Sequence, residues 1–481
     1  MNRLLFFLGF AALILTNISC KEKEKEVEKE KTPPNIVFIF ADDQSYNTIK
    51  TLGNDEVHTP NLDKLANSGV AFTHTYNMGG WNGAICVASR AMLLTGQYIW
   101  NAHKADSLMR ANSYQQPLWG NIMTNAGYNT YMTGKWHVTK PAEEVFENVV
   151  HVRPGMPNQT EEGYNRPLSE TDTIWRPWDK SKNGFWKGGT HWSEVVADDA
   201  SKFIADAIHK DNPFFMYLAF NAPHDPRQSP EKFVQMFPLD SIELPTTFLT
   251  EYPYNEEMGS GRKLRDERLA PFPRTEYSVK VNRQEYYAVI AHMDEQIGKI
   301  LDALEASGEM ENTYIVFTAD HGLSVGQHGL LGKQNMYDHS VRTPLFVVGP
   351  NIPKNKKIDA DVYLQDVMPT ILELAGAEKP DFVQFKSLMP LIKGERSTNY
   401  ESIYGCYTNT QRMVRTDGFK LIAYPNASKL RLFDLTNDPL EMNDLADDPK
   451  YASTKNTLWK ELLSLQKTMN DPLNLEDFMF N

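Results

Sequence analysis

Two kinds of apolar pattern alternate along the chain. Short apolar runs occur within 35–43, 213–220, 313–318 and 345–349, and 129–132 reads as a further short strand. Such runs suit strands buried on both faces, as in a parallel sheet. Between them, apolar residues recur every three or four positions, which predicts helices over 59–69, 118–127, 193–210, 285–308 and 367–375. Pro60 opens the first of these, and Gly69 and Gly308 close the first and the longest. Asp294 interrupts the stripe Tyr287, Ile290, Ile297, Leu301 and Leu304 of the longest helix and reads as structural. The stretch 84–96 is also apolar and is entered through small residues. It places Cys86 at a helix mouth and Arg90 one turn on, both favourable to negative charge.

After about residue 385 the pattern shortens. Strand-like runs at 411–415, 419–424 and 429–435 are separated by turn signals, and a final helix is predicted over 455–469. The expected class is therefore α/β. A large, mostly parallel sheet sandwiched by helices occupies 35–384, and a smaller C-terminal antiparallel sheet plus helix, without evident catalytic residues, occupies 385–481.

Composition adds bounds. The chain has 481 residues and a formal net charge of -13, which disfavours nucleic acid as a partner. A local cluster of cations would still admit an anionic substrate. Arg3 and the apolar run Leu4 to Leu15 precede small and polar residues that end at Cys20. This opening reads as an export signal over 1–20 and resembles a bacterial lipoprotein signal with Cys20 as the lipidated residue. Asn17 stands where such signals usually carry Leu, so an ordinary secreted protein is the alternative. Lys and Glu alternate from Lys21 to Lys31 without an apolar face, which suits a solvated tether over 21–34. The expected location is periplasmic, or anchored at the outer membrane or cell surface. Of three cysteines, only Cys86 and Cys406 remain past the signal, so no disulfide framework is expected.

The candidate chemistry falls at the carboxyl ends of the predicted strands, where ligands bind in α/β sheets. Asp42 and Asp43 end the first strand, as either a solvated turn or a hard-cation site. Lys135 and His137 sit just past the strand over 129–132. His224 follows the strand over 213–220, Asp320 and His321 follow that over 313–318, and Lys333 comes shortly after. Any one of these is unremarkable; their shared placement is hard to ascribe to chance.

These residues, taken together, resemble the type I sulfatases of the alkaline-phosphatase-like superfamily. The signature there is Cys (or Ser)-x-Pro (or Ala)-x-Arg continuing to Thr-Gly, matched by Cys86-Val87-Ala88-Ser89-Arg90 through Thr95-Gly96. The paired Asp, Gly-Lys-x-His, Pro-His, Asp-His-Gly and Gly-Lys recur in family order, and the likeness continues to Arg431-Leu432-Phe433-Asp434-Leu435. The resemblance implies that a maturation enzyme oxidises Cys86 to formylglycine, whose hydrate supplies the nucleophilic oxygen. It implies Asp42, Asp43, Asp320 and His321 as metal ligands, usually for Ca2+, with Mg2+ second. His321 stands where other members carry Asn. Arg90 would orient the hydrate, Lys135 and Lys333 would hold sulfate oxygens, His224 would be the general acid, and His137 would deprotonate the sulfated hydrate so that sulfate leaves.

Specificity is expected from two insertions. One carries Trp175, Trp178, Trp186 and Trp192 with Arg153, Arg166 and Arg176; the other carries Arg262, Lys263, Arg265, Arg268 and Arg274. Aromatic faces and guanidinium groups suit a sulfated saccharide, although packed surface loops are an equal reading. The expected function is sulfate removal from a sulfated carbohydrate, an oligosaccharide derived from an algal or other polysaccharide. Two alternatives stand: a phosphate or phosphonate ester hydrolase of the same superfamily, and an inactive glycan-binding lipoprotein. His328 divides between loop packing and substrate contact.

Overall fold

The structure is a computed structural model describing residues 33–157, 164, 167, 169, 171 and 175–480. The expected signal at 1–20, the charged run at 21–31 and Arg166 lie outside the described residues. The main sheet uses β1 (Asn35–Ala41) and β2 (Val70–Tyr76). The two-residue β3 (Gly79–Gly80) belongs elsewhere, and β4 (Asn129–Lys135), β5 (Asn148–Arg153), β6 (Phe214–Ala219), β7 (Thr313–Ala319), β8 (Arg342–Val348) and β9 (Lys356–Tyr363) complete the main sheet. Its order is β5-β4-β6-β1-β7-β8-β2-β9. All neighbours run parallel except β8, which is antiparallel to both β7 and β2.

The central strand β1 shows why the apolar run is continuous. Ile36, Phe38 and Phe40 enter one core cluster; Val37, Ile39 and Ala41 enter another on the opposite face. The helices Ile85–Thr95, Trp119–Asn125 and Val367–Leu374 contribute to the first cluster. The helices Pro60–Ser68, Trp192–Ala207 and Glu276–Ser307 contribute to the second. The last begins nine residues before the expected 285 because Thr275 caps it, accepting from the Ser278 N–H at 3.1 Å. Asp294, on this helix, accepts from the N–H groups of Asn61 and Leu62 at 3.1 and 2.8 Å. It thereby caps the helix Pro60–Ser68, the structural role expected of it.

Besides the two-residue β3, four strands escape the apolar-run pattern. β2 and β9 carry Thr, His, Lys and Asp between their apolar residues, and β5 is an edge strand with His151 and Val152 exposed. β10 (Ile403–Tyr407) is broken by Gly405. With β11 (Gln411–Thr416), β12 (Phe419–Tyr424) and β13 (Lys429–Asp434) it forms the second sheet, in the order β13-β12-β11-β10-β3. The four C-terminal strands are antiparallel, and β3 adds in parallel on β10. The helix Ala452–Met469 packs on this sheet. Tyr76, Met78 and Met92 share one apolar cluster with Tyr404, Leu421 and Phe433, so the smaller sheet is continuous with the core around the Cys86 helix.

Candidate active site

Neighbouring strand ends build the centre. Asp42 and Asp43 leave β1, Asp320 and His321 leave the parallel neighbour β7, and the Asp43 N–H donates to Asp320 Oδ1 at 3.1 Å. On the other side of β1, the Asp42 N–H donates to the Ala222 carbonyl at 3.0 Å, which ties in the segment after β6 that carries His224. Lys135 is not past its strand, as expected, but is its last residue. The strand runs on because Gly134, at a φ of 92°, lets β4 stay against β6. A Cβ there would meet the Ala219 carbonyl oxygen at 1.9 Å. His137 follows with a φ of 57°. Gly155 faces its ring so closely that a Cβ would lie 2.1 Å from Cε1.

Cys86 lies in the first turn of the helix Ile85–Thr95 and is buried. Its Sγ is 3.2 Å from His137 Nδ1. Arg90, one turn on, is fully buried. Its Nε and Nη2 lie 3.2 and 3.1 Å from Asp320 Oδ2, its Nη1 donates to the Lys135 carbonyl at 3.0 Å, and its Nη2 is 3.8 Å from Asp42 Oδ1. It also lies over the Phe40 ring at 4.5 Å. Lys135 Nζ donates to Asp42 Oδ2, and Lys333 Nζ donates to both Asp43 oxygens at 2.9 and 2.8 Å. His321 Nε2 is 3.2 Å from Asp43 Oδ1, and His224 Nε2 is 3.8 Å from Asp43 Oδ2. All ten expected site residues thus meet in one cluster, buried except for the half-buried His137.

Burial and crowding set its electrostatics. Burial, reinforced by the charge of Asp320, pushes the Asp42 carboxyl well above the usual carboxylate range despite Lys135. Asp320 is also raised by burial, but His321, Arg90 and Lys135 outweigh this and hold it well below. Burial would raise the Cys86 thiol, yet Lys135 and hydrogen bonds from His137 and His321 bring it well down. Burial lowers His321, but Asp320 and Asp43 more than reverse this. His224 is lowered, chiefly by burial.

The donor set fits a divalent cation. Ligand atoms of Asp42, Cys86, Asp320 and His321 lie within 4.8 Å of one another, as do those of Asp42, Asp43 and His224. Asp42 Oδ1 is buried without a hydrogen-bond partner, as an atom reserved for an ion would be. Three carboxylates suit a hard cation, and the imidazole makes the set less typical of Ca2+ alone.

Several expectations about the surroundings change. Trp175, Trp186 and Trp192 are buried, with Trp186 and Trp192 donating to the carbonyls of Pro177 and Lys187 at 3.0 and 3.2 Å. Arg153 stacks over Trp192 at 4.6 Å. In the second insertion, Arg262 pairs with Glu251, Arg265 with Asp225 and Asp266, and Arg274 with Glu267. These segments are largely self-packed. His328 takes the loop-packing role: it stacks on Tyr337 at 4.1 Å, and its nitrogens face His339 and the Glu441 carbonyl at 3.2 Å each. Conversely, Asp225 and Gly155 adjoin the centre although sequence reasoning gave neither a part there, and Arg265, read as a substrate contact or a packed loop residue, adjoins it by holding Asp225. Asp225 stands beside His224 in the strand-end segment, which was its available signal.

A family model described as Sulfatase matches residues 34–377, and one for the N-sulphoglucosamine sulphohydrolase C-terminal region matches 326–468. The chain is 26% identical to an N-acetylglucosamine-6-O-sulfatase of Bacteroides thetaiotaomicron, covering 98% of this chain and 93% of that one. It is 27% identical to an ulvan-active sulfatase of Formosa agariphila, covering 96% and 87%. A solved structure in complex with its substrate D-glucosamine-2-N,6-O-disulfate aligns at a TM-score of 0.69 and 23% identity, covering 92% of this chain and 99% of the other. The phosphonate monoester hydrolase of Agrobacterium radiobacter aligns at 0.68 and 21%, covering 91% and 96%. At these identities the structures speak to fold alone.

Proposed function

The chain belongs to the sulfatase family and is a sulfuric ester hydrolase, and from that premise we propose that it removes sulfate from a sulfated carbohydrate through a formylglycine made from Cys86. The observation that carries the reading is the buried Cys86 Sγ, 3.2 Å from His137, within a cluster that also gathers Asp42, Asp320 and His321. The carbohydrate preference is supported by the relatives named for N-acetylglucosamine-6-O-sulfatase and ulvan-active sulfatase activity.

Asp42, Asp43, Asp320 and His321 would hold the cation, proposed as Ca2+, which when bound polarises sulfate oxygens. Formylglycine at position 86 supplies, as its hydrate, the attacking oxygen. Lys135 and Lys333 hold sulfate oxygens as point charges through their Nζ atoms. Arg90, fixed by Asp320 and the Lys135 carbonyl, orients the side chain at 86. As the sulfur–oxygen bond to the sugar breaks, His224, entering the step as an imidazolium whose Nδ1–H stays on the Asp225 carbonyl, gives its Nε2 proton to the leaving oxygen. His137, whose Nδ1 faces residue 86, takes a proton from the oxygen there so that sulfate departs.

Sulfate release over a panel of sulfated oligosaccharides, by protein co-expressed with a maturation enzyme, tests this reading. Cys86→Ala should be inert, and activity that survives it would sink the mechanism. Aryl phosphate and phosphonate esters assayed beside aryl sulfate decide between sulfate and phosphorus esters as the preferred substrate. The same reading has the chain exported and anchored by lipid on Cys20. Fatty-acid labelling of the parent and not of Cys20→Ala is the expected result, and an unlabelled parent counts for simple secretion.

A further inference from the structure

We propose that Asp225 and Arg265 form a positioning pair that aims His224 at the leaving group; this rests on His224 being the proton donor. The His224 side chain is 4% exposed, and its two nitrogens face different groups. Nδ1 lies 2.7 Å from the Asp225 backbone oxygen and 3.2 Å from Asp225 Oδ1. Nε2 faces the carboxylate pocket, 3.8 Å from Asp43 Oδ2. With Nδ1 committed to residue 225, the ring has a fixed direction, and Nε2 is the nitrogen left for the reacting centre.

Asp225 is itself held. It is buried, and Arg265 grips both its oxygens: Nη1 donates to Oδ2, and Nη2 donates to Oδ1 at 3.2 Å. Such a fork fixes a carboxylate in plane and direction as a lysine would not. Arg265 Nη2 also reaches Asp266 Oδ1 at 2.5 Å, and its guanidinium lies over the Tyr164 ring at 5.5 Å. Asp266 accepts from Gln334 Nε2 at 2.8 Å, and Gln334 Oε1 accepts from the Lys333 N–H at 3.0 Å. One chain of contacts therefore runs from Nδ1 of His224 to the backbone of Lys333. An arginine poised to bind substrate needs its fork free, whereas that of Arg265 is spent on two carboxylates of this chain. Its insertion thus acts on the reaction by aligning groups already present.

Leaving-group dependence separates alignment from general support of the fold. The matured full-length enzyme is assayed on 4-nitrophenyl, 4-chlorophenyl, phenyl and 4-methoxyphenyl sulfates. A stable phenolate departs with little help from an acid; a poor one needs it. The parent should show a shallow dependence of kcat/KM on leaving group and His224→Ala a steep one. Asp225→Asn and Arg265→Gln should fall between, with the phenyl to 4-nitrophenyl ratio dropping roughly tenfold, a share of the ~100- to 10,000-fold that a positioned acid supplies. The slope is independent of how much of the sample is folded, so a destabilised variant still reports. Equal losses on all four esters in both variants overturn the positioning role. A parent as steep as His224→Ala overturns instead the reading of His224 as donor. A second readout needs no turnover. The His224 Nδ1 proton resonance, assigned by its loss in His224→Gln, should move upfield in Asp225→Asn. An unmoved resonance counts against the pair.

Discussion

Gly155 lies against the imidazole of His137, and a Cβ built on it would come 2.1 Å from Cε1 and 2.3 Å from Nδ1, the nitrogen that faces Cys86. The exit of edge strand β5 therefore fixes the position of a side chain just past the end of β4. Gly155→Ala should push His137 away from residue 86 without emptying any core. Overpacking of this kind costs about 1–3 kcal/mol. A misplacement near 1 Å lowers turnover by roughly a hundredfold. The expected result is a modest fall in melting temperature with a large fall in kcat. A normal kcat would show that the ring finds the same place by another route.

His137 and His224 are assigned opposite halves of the reaction, and their variants should differ in kind. In His137→Ala the alcohol is still expelled once, so rapid mixing should show a burst of alcohol equal to the enzyme, followed by slow release. His224→Ala should show no burst, because the first bond cleavage is what slows. Each should lose ~100- to 10,000-fold in steady turnover. Bursts of equal size in both variants would remove the division of labour.

Much of this centre was legible because strand ends carry it. Asp42, Asp43, Asp320 and His321 each follow an unbroken apolar run, and such runs reveal buried parallel strands. What stayed hidden is what depends on contacts between distant segments. Lys135 belongs to β4 because Gly134 accepts a positive φ, which no periodicity announces. β5 was missed because an edge strand with exposed His151 and Val152 lacks the apolar signal, and with it the contact of Gly155 on His137. For the same reason the arginines of the second insertion could be read equally as substrate contacts or as packed loop residues. Their partners, Asp225 and Glu267 among them, are visible only in three dimensions.

The carboxylates predict a response to cations. Asp42, Asp43 and Asp320 are buried together, and burial with Asp320 beside it already drives Asp42 toward its protonated form. A divalent cation that binds this set stabilises the folded chain by about 2.7 kcal/mol at a hundredfold excess over its Kd. Adding Ca2+ to chelator-treated protein should raise the melting temperature, and Asp320→Asn should abolish most of the rise. Equal melting temperatures with and without Ca2+, Mg2+ and Mn2+ would argue against a cation at these residues.

Away from the centre, Asp366 makes stability depend on pH. Burial raises its carboxyl to about 7, against hydrogen bonds from Tyr400 Oη and the N–H groups of Lys386 and Tyr363. An unfolded Asp titrates near ~3.9. Between these values the folded state binds a proton that the unfolded state has lost, so stability falls as pH rises, by up to about 1.4 kcal/mol per unit, and levels off above about 7. Asp366→Asn cannot titrate. It keeps a carbonyl acceptor for Lys386 and Tyr400 but sets an amide against the Tyr363 N–H, which makes it the less stable protein at pH 5. Other buried carboxyls such as Glu441 and Asp294 titrate in both proteins, but Asp366 only in the parent, so the gap between their melting temperatures should narrow from pH 5 to pH 8. Thermal scans of both proteins at each unit of pH measure this, and parallel curves would mean that Asp366 stays ionised throughout.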